Sequence, residues 1–319
     1  MRRSLLPLLP LLLLLTLASL TLGLAVGSVP VPLDQVWPAL WDGTSPHALV
    51  IQELRLPRLL AAFAVGGLLA VAGALLQVLL RNPLADPYIL GLSGGAAVAA
   101  LLAMLAGLGS YWISGSALAG AFGSMLLVFG LARGAGSWTP TRLLLTGVVV
   151  AAAWGALISF LLAVAPEHNL RGMLFWLMGD LSHGGEWRAP LALLGLGLLL
   201  LFPFARELNL LARGEITAGS LGVQVGRLRL LIYFAASLLT AAGSVGFVGL
   251  VVPHILRLAA GSDHRLLLPA SALLGGSLLM LADTLARSVI APQQLPVGVL
   301  TALLGAPVFL YLLRREAAR

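Results

Sequence analysis

The sequence predicts an all-α, polytopic membrane protein with about ten transmembrane helices, and three observations predict it. Sixty per cent of the 319 residues are hydrophobic and only ten per cent are charged. Mean hydropathy is +1.02. The apolar residues also fall into long unbroken runs separated by brief polar breaks. A water-soluble domain of this length needs far more charge to cover its surface, so most of this surface meets lipid. In lipid each segment must satisfy its own backbone hydrogen bonds, which helices do.

The first run, from Leu5 to about Val29, follows Arg2 and Arg3. It exceeds the ~7–15-residue core of a secretory signal and more spans follow it, so it reads as the first span. Further stretches run over 57–80, which Pro57 opens, then 88–107, 111–132, 142–165 and 189–204. The last four are 228–245, 247–260, 266–285 and 297–313. Stretch 247–260 is short and holds Pro253, His254 and Arg257, the marks of a re-entrant or broken helix. Small residues recur within spans, as in GGLLAVAGA (66–74) and GLSGGAAVAA (91–100). In lipid they permit close backbone approach, which predicts a tight bundle. The longest exposed segments are 30–55, 166–188 and 205–227, and function outside the bilayer is expected there.

Charge placement orients the bundle. All 19 basic residues are arginines. Ten spans with the amino terminus inside put fourteen of them in the cytoplasm and leave Arg55, Arg58, Arg171, Arg188 and Arg287 outside. This obeys the positive-inside rule, supports an even span count and places both termini in the cytoplasm. The pI of about 11.1 could suggest nucleic acid, but the arginines are scattered between apolar runs, so membrane orientation explains them and no nucleic-acid partner is expected.

Residues that are missing exclude several chemistries. Without lysine there is no P-loop ATPase and no Schiff base. Without cysteine there are no disulfides, thiolate nucleophiles or thiolate metal ligands. His47, His168, His183, His254 and His264 lack metal-ligand spacing, so no metal and no cofactor is expected. Asp283 is almost the only acid inside a span, and Arg287 lies one turn on, the spacing of a self-neutralising pair. An intramembrane acid is a functional suspect by default. The sequence offers neither a chain of such acids nor a cation cage, which weakens ion-coupled secondary transport as the alternative reading. Paired carboxylates are missing too, so the chain is expected not to be an enzyme.

An internal echo suggests an inverted repeat, a transporter habit. Arg58-Leu-Leu-x-x-Phe-Ala opens the second span and Arg229-Leu-Leu-x-x-Phe-Ala the seventh. Both continue to Leu-Leu and then Ala-Gly, at Ala72-Gly73 and Ala242-Gly243.

Three motifs are more specific. Leu54-Arg55-Leu56-Pro57-Arg58 precedes Arg81-Asn82-Pro83-Leu84-Ala85-Asp86-Pro87 at the other end of the same span. Gly246-Phe247-Val248-Gly249-Leu250-Val251-Val252-Pro253-His254 continues to Arg257, and Leu295-Pro296-Val297-Gly298 continues to Pro307-Val308-Phe309. In this order and at these separations the chain, from Arg55 to Phe309, resembles the permease subunits of ABC importers for iron chelates and cobalamin.

The resemblance implies one transmembrane permease domain over 1–319 that pairs with a copy of itself in a bacterial inner membrane. Two cytoplasmic ATPase subunits would drive it, and a periplasmic or lipid-anchored binding protein would deliver a metal chelate such as cobalamin, haem or a ferric siderophore. The missing lysine fits, because the energy must then come from another polypeptide. Segment 206–226 is too apolar for a free loop, and Gly214 and Gly222 divide it into two short helices that end at glycine. In the resembling family this is the ATPase coupling segment, here carried by Leu208, Leu211, Arg213, Gly214, Glu215, Ile216, Leu221 and Gly222. An amphipathic helix on the lipid surface is the other reading. The cytoplasmic gate maps to Asn82 and Leu84, where Pro83 and Pro87 force a turn, and to Thr139 and Thr141. Arg55, Arg58 and Arg287 match arginines that dock the binding protein through carboxylates; as bare residues they also suit lipid anchoring. His254 follows Pro253 without a nearby acid in sequence, which points to packing rather than catalysis.

Overall fold

A computed structural model describes residues 8–133, 139–181, 187–240, 245–290 and 293–317. Arg2, Arg3, His183, Ala242-Gly243 and Arg319 lie outside them. Among the described residues every regular element is helical. In order these are α1 (Leu8–Ala25), α2 (Leu33–Val36), α3 (Pro38–Trp41), α4 (Leu56–Leu79), α5 (Leu92–Leu105), α6 (Ser110–Arg133), α7 (Pro140–Val164) and α8 (Glu167–Leu177). There follow α9 (Arg188–Leu201), α10 (Ala205–Ala212), α11 (Glu215–Ser220), α12 (Val225–Thr240), α13 (Val248–Ala260), α14 (His264–Ser288) and α15 (Val297–Ala317).

Ten of these helices lie over the ten predicted apolar stretches. Six helical runs are long and apolar enough to cross a membrane: Leu8–Ala25, Val50–Leu79, Ser110–Arg133, Thr141–Val164, Arg188–Ala212 and His264–Ser288. Helices α5, α13 and α15 are apolar but shorter. At 1.5 Å per residue α13 is about 20 Å long, short of the ~30 Å hydrocarbon core, as a broken helix should be.

The exposed segments contain more helix than expected. A π-helical turn, Val50–Arg55, runs directly into α4. Segment 166–188 contains α8. The predicted sixth span continues through a 3-10 turn, Phe202–Phe204, into α10. Pro203 sits in that turn, and the helical path continues past it.

Helix α4 is the axis of the bundle. Pro57 sits at the junction of the π-helical turn and α4, as the second residue of α4. Of its most apolar stretch, 89% is buried, against 17% for α7. Helices α14, α12, α13 and α9 surround it. Its glycines explain the closeness: a Cβ at Gly66 would overlap the Gly275 carbonyl, and one at Gly73 the Gly249 carbonyl. Helices α5 and α6 form a second tight pair, with Gly95 and Gly120 meeting backbone to backbone. Both contacts fall in or against the small-residue runs 66–74 and 91–100.

Candidate functional site

Two polar constellations lie at opposite ends of α4. At its start, Arg58 Nε donates to both oxygens of Asp283 at 3.0 Å. Its Nη2 donates to Oδ1 at 2.8 Å, and its Nη1 donates to Gln294 Oε1 at 2.6 Å. Asp283 is fully buried, and Arg287 Nε lies 3.0 Å from its Oδ2. The expected Asp283–Arg287 pair is therefore one side of a three-residue cluster. Arg55, 4% exposed, turns instead to the end of α1. Its Nη1 donates to the carbonyls of Leu24 (2.5 Å) and Ala25 (3.1 Å), and its Nη2 donates to that of Val29. The Leu24 and Ala25 carbonyls end α1 and carry the negative end of its dipole, so a guanidinium fits there, and the Val29 carbonyl adds a third acceptor from the turn beyond. Arg287 Nη2 reaches the Gly23 carbonyl at 3.4 Å.

One carboxylate and a set of carbonyls thus balance three arginines, and α1, α4 and α14 are held together where the two long helices end. The structure brings Arg55, Arg58 and Arg287 together as expected, but their donors are directed into the chain.

At the other end of α4, Leu80 closes the helix and Arg81 takes φ +47°. Asn82 Oδ1 accepts from the Leu84 N–H at 2.9 Å, closing the turn that Pro83 imposes. Asn82 is exposed and Leu84 half-buried. Asp86 is buried and accepts from the Tyr88 N–H at 2.8 Å. Burial pushes its carboxyl up to about 6, partly offset by that bond. Thr139 and Thr141 are exposed at the start of α7. Thr139 Oγ1 caps that helix by accepting from the Arg142 N–H at 3.3 Å. Beside the Asn82–Leu84 turn, the 3-10 turn Pro87–Leu90 packs against α7.

Segment 206–226 forms two short helices, as its glycines suggest. Gly222 takes φ +84°, while Gly214 adopts φ +123°, ψ 151°, a glycine conformation that starts α11 rather than ending α10. Here the structure divides the residues named from sequence. Leu208 and Leu211 are buried against the bundle, α10 packing on α4 and α14. They are core, not docking surface, because α10 continues the α9 helix and its apolar stripe follows the same bundle. Ile216 is 90% exposed, and Leu221, Arg213 and Gly222 are exposed with it.

Sequence reading missed three contacts at this end. Glu215 Oε1 pairs with Arg229 on α12 and lies 3.3 Å from Arg81 Nη2. Asn209 Oδ1 accepts from the His264 N–H at 2.9 Å and lies 2.6 Å from its Nδ1, while Asn209 Nδ2 donates to Asp263 Oδ1 at 2.8 Å. Arg257 donates to Gln77 Oε1 and to the Ala74 carbonyl at 3.4 Å, covering the last turn of α4. The echo was the one available signal. Its two arginines, Arg58 and Arg229, each meet a carboxylate at opposite ends of the bundle. His254 is buried, edge-on to Phe309 with ring centroids 6.3 Å apart.

Residues 12–315 match the FecCD transport family. Over 280 residues the chain is 44% identical to the cobalamin import system permease protein BtuC of Halobacterium salinarum, covering 85% of this chain and 75% of that protein. It is 42% identical over 307 residues to the Fe(3+) dicitrate transport system permease protein FecD of Escherichia coli K12, covering 92% and 94%. It is 40% identical over 321 residues to the ABC transporter permease protein YvrB of Bacillus subtilis, covering 93% and 90%. Its fold is similar to a metal-chelate-type ABC transporter solved in an inward-facing conformation, with TM-score 0.84, 33% identity and coverage of 98% and 99%.

Proposed function

This chain belongs to the FecCD transport family, and on that footing we propose that it is the permease subunit of an ATP-driven importer bringing a metal chelate into the cytoplasm. Cobalamin, ferric siderophores and haem are the substrate class. One observation carries the coupling part of this reading: α11 presents Ile216 to solvent beside exposed Leu221, at the end of the bundle where the exit turn lies. Two large aliphatic side chains beside a glycine break make a small apolar surface that suits a groove on a second protein. The chain has no lysine for a P-loop, so that protein is the ATPase.

In this reading the Arg81 end is cytoplasmic, with both termini, and the membrane is the bacterial inner membrane. The chain acts as one permease domain without catalytic chemistry of its own. Two copies enclose the path, one ATPase subunit binds each, and a soluble or lipid-anchored binding protein delivers substrate at the Arg58 end. Support for pairing comes from α7, whose most apolar stretch is 17% buried, the smallest share among the six long helical runs. Asn82 and Leu84, with Thr139 and Thr141, narrow the exit. Arg55, Arg58 and Arg287 shape the receiving face through the helices they pin.

Ion-coupled secondary transport is disfavoured by Asp283, whose oxygens are engaged by Arg58 and Arg287. The deciding experiment reconstitutes the permease with its co-purifying ATPase and binding protein in liposomes. Chelate uptake should require ATP and persist when ion gradients are collapsed. Uptake driven by a gradient without the ATPase would overturn the assignment.

A further inference from the structure

The turn expected to narrow the exit and the helix expected to grip the ATPase are joined by one carboxylate. Glu215 is the first residue of α11 and precedes the exposed Ile216. Its Oε1 faces two cations on different elements. Arg229, 13% exposed, belongs to α12, which packs along α4. Arg81, 45% exposed, follows the end of α4 and directly precedes Asn82-Pro83-Leu84. Both cations contact the same oxygen, with Arg81 Nη2 at 3.3 Å.

Arg81 also holds a backbone conformation that side-chain-bearing residues avoid, with φ +47°. A left-handed backbone is strained for a residue other than glycine and persists where its surroundings hold it. Around Arg81 the chain is tied on both sides. Its N–H donates to the Val78 carbonyl at 3.2 Å, and the next N–H, of Asn82, donates to that of Gln77 at 3.2 Å. The side chain ends at Glu215.

We propose that Arg81 is the positioning residue that links the exit turn to the coupling helix, with Glu215 shared between it and Arg229. A half-exposed ion pair adds little stability, so the pair acts on geometry. A partner that grips Ile216 moves Glu215 with it, because the two are adjacent in one helical turn. A shift of an ångström or two transfers the carboxylate wholly to Arg229, or brings it fully onto Arg81. Released, Arg81 loses one of the contacts that hold its left-handed backbone, and the turn bearing Asn82 and Leu84 relaxes. Small displacements become discrete changes when the element has two packed arrangements. This inference rests on the coupling role proposed above for α11.

The test uses the complete importer in liposomes and reads chelate imported per ATP hydrolysed, a ratio that plain stability does not set. Arg81→Gln should lower that ratio about fivefold, the low end of coupling between two sites, while the ATPase stays bound. Arg81→Lys, which keeps the charge, should retain most of it. Arg81→Glu combined with Glu215→Arg, which restores opposite charges, should recover it. An unchanged ratio in Arg81→Gln with the ATPase bound overturns the link alone, as does failure of the charge swap in a complex that melts like wild type. A wild-type permease that retains no ATPase overturns the link and the coupling reading together.

Discussion

Arg58 and Asp283 stand 225 positions apart in the chain and meet through three short nitrogen–oxygen contacts inside the bundle. Three arginines share the single carboxylate and the carbonyl ends of α1, so the carboxylate is the group the cluster cannot lose. Asp283→Asn should destabilise the permease by about 3–5 kcal/mol, the usual cost of leaving buried charge unpaired. Thermal unfolding in detergent reads this directly, and a variant that melts like wild type would show that the cluster is not load-sharing. Arg58→Glu should also lose folded protein, so a docking assay on that variant is meaningful only alongside its melting curve.

The proposed coupling role of α11 gives a paired test. Ile216→Asp should leave melting unchanged and reduce ATPase retention during purification. Leu211→Asp should instead lower stability by about 2–5 kcal/mol, because it places a charge among buried apolar groups. The reverse pattern would move the docking surface to α10.

Close helix approach gives a second pair. Gly73→Ala forces a methyl into the Gly249 carbonyl and should cost about 1–3 kcal/mol through overpacking. Gly123, on α6, has open space where an added methyl would sit. Gly123→Ala should therefore be neutral or stabilise by up to about 1 kcal/mol through helix propensity. Melting temperatures of the two variants side by side check this.

Asp86 makes stability depend on pH. Its folded carboxyl titrates near 6 instead of 3.8, so between those values the folded state holds the proton more tightly than the unfolded chain. The carboxyl's contribution is full below about pH 3.8, falls as pH rises towards 6, and is constant above. Asp86→Asn keeps an oxygen for the Tyr88 N–H and removes the charge. Its melting temperature should exceed that of wild type at pH 7.5, with the gap shrinking at pH 4.5. A gap that stays constant with pH would mean that Asp86 is solvated.

The proposed exit turn at Asn82–Leu84 is open to direct probing. With cysteine absent from the chain, Leu84→Cys introduces the sole thiol. If two copies enclose the path, it should cross-link to its counterpart in a nucleotide-dependent manner. An intact dimer that never cross-links would remove Leu84 from the gate.

Much of this architecture was legible in the sequence. The ten apolar stretches each received a helix because hydropathy and backbone satisfaction in lipid act within a segment. Pro83 follows the end of α4 as proline chemistry predicts, whereas Pro57, expected to open the second span, sits inside a helical run that begins at Val50. The small-residue runs foretold the contacts of Gly66 and Gly73. The π-helical turn before α4 and the continuation of α9 into α10 were not legible, because the surrounding polar residues looked like loop.

By itself, then, the sequence determined the lipid environment, the helix positions, the family and the residues on which function was sought. Only the tertiary structure decided what those residues face. It turned Leu208 and Leu211 inward and Ile216 outward, directed Arg55, Arg58 and Arg287 onto Asp283 and α1, and set Arg81 beside Glu215. The reason is rotational. A helix turns about 100° per residue, and in a chain this apolar many faces can be buried at nearly equal cost, so the face that meets a neighbour is chosen by packing and by charges brought together from distant segments.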